Sequence, residues 1–186
     1  MKIHLCIRND SKRTRLYRQD DLVKIAERIC TGEGLSGEAE LSVLFCDDGF
    51  IRDLNRTYRK RDYPTDVLAF CQGGSRPDQI AMLGDIVISL ETVERHCIKP
   101  GGPDREAQHH AAQRRAMRDE VRLLFSHALL HLLGYCHSSA GGRKRMADKQ
   151  AHYLGITAEA AWPASADKPP SRSRALRPAA RPKARM

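Results

Sequence analysis

Three histidines, His127, His131 and His137, carry the spacing with the most chemical potential in this 186-residue sequence. His127 and His131 are four residues apart within a stretch of helical apolar period, so both imidazoles project from one face, one turn apart. Gly134 is a natural helix stop, and the turn after it brings His137 back toward the same point. The complete pattern is H-x-x-x-H-x-x-G-x-x-H. One histidine on an apolar helix is ordinarily a packed boundary residue. A pair at i and i+4, followed by a third beyond a helix-breaking glycine, reads instead as the ligand set of one divalent ion. Three neutral nitrogens suit zinc first, with other divalent metals compatible. They leave a coordination position open to water or substrate, the usual form of a catalytic zinc site. Zinc so held lowers the pKa of water to about 7 and makes hydroxide available at neutral pH.

The same spacing occurs in metzincin proteases, which need a glutamate directly after the first histidine as general base. That position is Ala128 here, so the ligand pattern stands without the peptidase chemistry. Cys136, next to His137, offers an alternative: a thiolate ligand would close the site and make it structural. Adjacent residues rarely both point at one ion, which favours the open site. The six cysteines (Cys6, Cys30, Cys46, Cys71, Cys97 and Cys136) include no CxxC pair, which excludes a zinc ribbon. Most of them read as small core residues in a reducing compartment.

The elements that must position the histidines follow from periodicity. Residues 2–8, 40–46, 66–71 and the β-branched 83–89 read as strands. Asp20 and Asp21 favour a helix start, with Leu22, Ile25, Ala26 and Ile29 on one face and GEGLSG at 32–37 ending it. Asp47 or Asp48 caps a short helix to about Tyr58. The polar QGGSRPDQ reads as a loop, and a further helix spans about 90–97. Beyond the KPGGPD break at 99–104 a long helix runs from about Arg105 to Leu133. Met117, Val121, Leu124, Phe125, Ala128 and Leu132 form its apolar face. A last helix covers about 142–154. The body is one α+β domain over residues 1–157.

The 41% of apolar residues support a real core, although only 5% are aromatic. No apolar run approaches the roughly 20 residues of a membrane span. The start is too charged for a secretory signal, so a cytoplasmic protein is expected. The formal charge is +9, and residues 158–186 hold seven Lys/Arg against two acids. From about residue 163 Pro, Ala, Ser and Arg dominate, a composition expected to form a disordered basic tail. A basic balance favours polyanionic partners, nucleic acid ahead of anionic membrane.

Three stretches, in order, resemble a known family. Residues 127–137, HALLHLLGYCH, are similar to the HGxLHLxGYDH signature of the YbeY family. Residues 54–59 and 62–70, LNRTYR and DYPTDVLAF, are similar to its LNxxYRxxDxPTxVLSF segment, and 83–89, LGDIVIS, to its LGDIVI strand. The resemblance covers about residues 2–155. It implies a zincin-like α+β fold, a small mixed sheet packed against helices with a metal in a cleft. It also implies metal-dependent, single-strand-specific endoribonuclease activity in ribosomal RNA maturation and ribosome biogenesis, with ribosomal RNA and the small ribosomal subunit as partners. It carries the three histidines over as ligands of one zinc ion and matches Arg59 to a functionally important arginine. A guanidinium suits phosphate because its planar fork donates two hydrogen bonds and keeps its charge. Without the resemblance Arg59 reads as a solvated helix-end charge.

The chain departs from the family's pattern at Ala128 (usually Gly), Cys136 (usually Asp), and Ala69 and Cys71 (usually Ser and Pro). After His137 it has SSAGGRKR where acidic residues are common. Arg143, Lys144 and Arg145, with the basic groups at 114–118 and in the tail, are expected to attract the RNA backbone in a salt-dependent way. Scarce aromatics argue against extensive base stacking. No general base is assignable. The rival reading, which Ala128 and Cys136 favour, is a metal-stabilised RNA- or ribosome-binding assembly factor with little nuclease activity. A metal hydrolase acting on a small molecule is a third.

Overall fold

The computed structural model describes residues 1–13, 16–72, 80–98 and 106–162, and among these residues it forms four strands and five helices. The elements are β1 (Lys2–Asn9), α1 (Gln19–Gly32), β2 (Glu38–Cys46), α2 (Asp48–Arg59), β3 (Val67–Cys71), β4 (Ala81–Ser89), α3 (Leu90–Cys97), α4 (Glu106–Leu132) and α5 (Ala140–Leu154). The strands form one mixed sheet in the order β1-β2-β4-β3. β1, β2 and β4 are parallel, and β3 closes one edge antiparallel to β4. The expected elements all form, and the fold is the single α+β domain with a small mixed sheet that the sequence implied.

Strand alternation divides the interior. Leu41, Val43 and Phe45 of β2 and Ile86 and Ile88 of β4 enter the larger core, with Leu22, Ile25, Ala26 and Ile29 of α1 and the apolar residues of α4. Cys46 and Val87 point the other way and meet Leu68 and Ile51 in a smaller core beneath α2. Capping fixes where the helices begin. Asp47 accepts the Phe50 N–H at 2.8 Å to start α2. Ser139 accepts the Gly142 N–H at 3.1 Å to start α5.

The second half of α4 is the spine of the domain. Its expected stripe is buried, but so are Leu123, Leu129 and Leu130. Over this stretch the helix is apolar nearly all round, and the expected stripe is one side of it. The helix is enclosed, with β3 and β4 on one side and α1, α3 and α5 around it. It stops where predicted: Gly134 adopts φ +93°, its N–H bonds to the His131 carbonyl, and the Tyr135 N–H reaches back to Leu130, each at 3.0 Å.

Two expectations change. Only Cys30 and Cys46 are buried; Cys97 is half-buried, and Cys6, Cys71 and Cys136 are exposed. Cys6 takes an outward strand position, Cys71 ends an edge strand and Cys136 lies in a turn, so small size did not translate into burial. The packed body also runs past residue 157: Ala161 is fully buried and Trp162 packs against the core. Residues 163–186 of the expected tail, and most of the loops at 72–79 and 99–104, lie outside the described residues. No helix among the described residues is long and apolar enough to cross a membrane.

Candidate metal centre

The last two turns of α4 and the turn after Gly134 bring His127, His131 and His137 together, one ligand nitrogen from each lying within 4.8 Å of the others. Nε2 of His127 and Nε2 of His131 are 3.2 Å apart. Two nitrogens bound tetrahedrally to one zinc at about 2.0–2.1 Å would be about 3.3 Å apart, so the pair already has the separation an ion requires. The ring of His137 completes the group, its centroid 5.2 Å from His127 and 4.9 Å from His131.

The outer nitrogens determine what the inner ones offer. Nδ1 of His131 faces the Tyr135 carbonyl at 2.9 Å, and a carbonyl only accepts, so that nitrogen carries the proton. Nδ1 of His127 faces Oε1 of Gln150 at 3.0 Å and donates likewise. Both Nε2 atoms therefore present lone pairs to each other, an arrangement that calls for a cation between them. A proton fills that role poorly. Burial pushes His127 down to about 4, and burial followed by the neighbouring histidines pushes His131 down to about 3. His137 is also lowered, by burial and then by Arg143 and Arg59. Neutral, pre-oriented imidazoles with hydrogen-bonded outer nitrogens fit a divalent metal.

Cys136 does not join them. Its Sγ turns to the Ser138 hydroxyl at 3.2 Å and lies in an exposed turn, so the three nitrogens stand without a sulfur. Ala128 is almost fully buried, its methyl group absorbed into the core. Cys71 replaces an expected proline and donates from Sγ to the Leu132 carbonyl at 3.3 Å, tying the edge strand to the end of α4. A proline could not make that bond.

Arg59 is the last residue of α2. The chain reverses immediately after it at Lys60, in the left-handed region with φ 59°. The return is held by buried Asn55, which donates to the Tyr63 carbonyl at 2.8 Å. Arg59 is solvent-exposed, yet the surrounding protein lowers its pKa, through burial first and then Arg61, with Asp66 opposing. Its positive charge is the smallest of the influences acting on the pKa of each of the three histidines, and it lowers all three. Among the basic residues at the start of α5, Arg143 acts on His137 in the same way. Lys144 pairs with Asp148 at 3.0 Å, and Arg145 is exposed.

Several contributors leave no mark in the linear sequence. Gln150 is fully buried on the inner face of α5; its only signal is an amide within the stripe of Gly142, Met146 and Tyr153. Trp162 stands edge-on to His127 and His137, at centroid distances of 5.7 and 5.4 Å; it fell on the tail side of the expected boundary. Glu33, just beyond α1, accepts hydrogen bonds from the Tyr135 hydroxyl at 2.6 Å and the Tyr153 hydroxyl at 2.5 Å. It also pairs with Lys149 at 2.8 Å. The residue whose carbonyl holds His131 is thus itself anchored to α1. Glu120 has a raised pKa, from burial and then Asp66. It sits seven residues before His127, about 10 Å along the helix axis, too far to exchange a proton directly at the histidines.

The family described as Endoribonuclease YbeY matches residues 6–157. An Endoribonuclease YbeY from Methylocella silvestris is 44% identical over 117 residues, 62% of this chain and 58% of that protein, so the match spans little more than half of that relative. The Endoribonuclease YbeY of Pelotomaculum thermopropionicum is 39% identical over 72% of this chain and 82% of its own length. That of Aquifex aeolicus is 39% identical over 75% and 83%. The chain belongs to the endoribonuclease YbeY family.

Proposed function

We propose that this chain is a metal-dependent, single-strand-specific endoribonuclease that acts in ribosomal RNA maturation in the cytoplasm, with one Zn2+ held by His127, His131 and His137. The observation that carries the reading is the pair of Nε2 lone pairs 3.2 Å apart with both outer nitrogens engaged, in a chain whose relatives are named endoribonucleases. A divalent ion bound there supplies Lewis acidity, polarising a phosphate oxygen or activating water.

The chain's own groups do the rest. The three imidazoles hold fixed directions and enter the site neutral. Arg59 meets the phosphate of the scissile bond and stabilises the negative charge that builds on it. Arg143, with Lys144 and Arg145, draws the RNA backbone toward the cleft through charge. The small ribosomal subunit is the proposed context of the substrate.

The test is to measure metal stoichiometry in the purified protein and cleavage of ribosomal RNA fragments by the wild type and His131→Ala. One ion per chain and cleavage, both lost in the variant, is the expected result. Cleavage that persists without bound metal would overturn the mechanism. Bound metal and RNA association with no cleavage above the His131→Ala control would make the protein an assembly factor.

A further inference from the structure

We infer that Gln150 is a positioning residue for the metal ion: its amide oxygen fixes the tautomer and ring direction of His127 and thereby sets the affinity of the site. The inference rests on the reading that the three histidines bind a metal.

The inner face of α5 is built for packing. Met146 and Gln150 are fully buried and Tyr153 nearly so, and Gly142 approaches so closely that a Cβ there would lie 2.4 Å from the Cys136 carbonyl oxygen. An amide is an odd choice for that stripe. Its nitrogen, Nε2, is buried with no hydrogen-bond partner among the described residues, and an unpaired buried donor is unfavourable. Leucine or methionine would fill the same volume without that cost. What glutamine alone adds is Oε1, 3.0 Å from Nδ1 of His127.

That contact determines what His127 offers. With an acceptor at Nδ1, the proton resides there and Nε2 points its lone pair at the ligand group. Without one, the neutral ring is free to carry its proton on Nε2, directed at Nε2 of His131 3.2 Å away. His131 needs no such helper, because its own acceptor is the main-chain oxygen of Tyr135. Outer partners of metal-bound histidines typically change metal affinity 10–100-fold when lost.

The experiment measures zinc dissociation constants of the full chain by chelator competition for the wild type, Gln150→Leu and Gln150→Glu, alongside thermal stability of the metal-free proteins. Trp162 is the only tryptophan in the sequence. It lies against His127 and His137, so its quenching by Co2+ reports loading of this site independently of activity. Gln150→Leu is expected to weaken zinc roughly 10–100-fold while the metal-free protein melts no lower than wild type. Gln150→Glu keeps the acceptor and is expected to restore affinity to within a few-fold. Unchanged affinity in Gln150→Leu, or a loss that glutamate does not rescue and that tracks a lower metal-free melting temperature, would overturn the inference alone. A wild type that binds no metal would overturn the metal reading, and this inference with it.

Discussion

The turn joining α4 to α5 and the C-terminal end of α2 both act on the same three histidines, and they are built in opposite ways. At the end of α4 and in the turn after it, His127 is buried, the outer nitrogens of His127 and His131 are hydrogen-bonded, and the chain is pinned by Glu33 through Tyr135. At the end of α2, Arg59 is exposed, beside Lys60 and Arg61, and reaches the histidines through its field. Ligands of an ion lose affinity with displacements of a few tenths of an ångström. A guanidinium that meets a mobile polyanion gains more from freedom to follow it. Damage to the first region should therefore be abrupt and visible in metal content. Damage to the second should be graded, salt-sensitive and confined to turnover.

The sharpest way to break this contrast is ligand removal. His127→Ala is expected to abolish stoichiometric metal binding and reduce cleavage by roughly 10³ or more; retained metal would place the ion elsewhere. Next comes Arg59→Glu, expected to slow cleavage roughly 10–100-fold with metal content intact. Loss of metal there would erase the distinction between the regions. A third test addresses rigidity. Gly142→Ala drives a methyl group against the Cys136 carbonyl, and should lower stability by roughly 1–3 kcal/mol and weaken metal binding through His137. Equal melting and affinity would show that the turn is softer than its packing implies.

The smallest effect concerns the anchor. Burial pushes the Glu33 carboxyl up, but hydrogen bonds from Lys149, Tyr135 and Tyr153 outweigh it and hold its pKa below the ordinary value of 4.5. A depressed carboxylate stabilises the fold above its unfolded pKa, and that contribution fades as pH falls through the folded value. Glu33→Gln should therefore cost about 1–2 kcal/mol at pH 7, discounted for the partly exposed Lys149, with a difference from wild type that shrinks as the pH falls below the ordinary value of 4.5. Denaturant melts at pH 7 and pH 3 check this; a pH-independent difference would assign the effect to packing.

Much of this arrangement was legible in the residues. The helical spacing of His127 and His131, the stop at Gly134 and the cap at Asp47 are local rules, read within a few positions of sequence. What stayed hidden depends on elements far apart in the chain. Gln150 acquires its meaning only when α5 folds onto α4, and Glu33 reaches Tyr135 across 102 positions. Arg59 was recognisable through resemblance alone, because an exposed charge at a helix end looks ordinary on its own. Cys136 was ambiguous for a related reason: sequence adjacency to a ligand does not say which way a thiol turns, and Ser138 settles that.

The most direct test of the central claim is X-ray absorption at the zinc edge of the reconstituted protein. Three imidazole nitrogens at about 2.0–2.1 Å with an oxygen completing the shell and no sulfur is the predicted result. A sulfur at about 2.3 Å, which would place Cys136 on the metal, or a shell lacking three histidines, would contradict it.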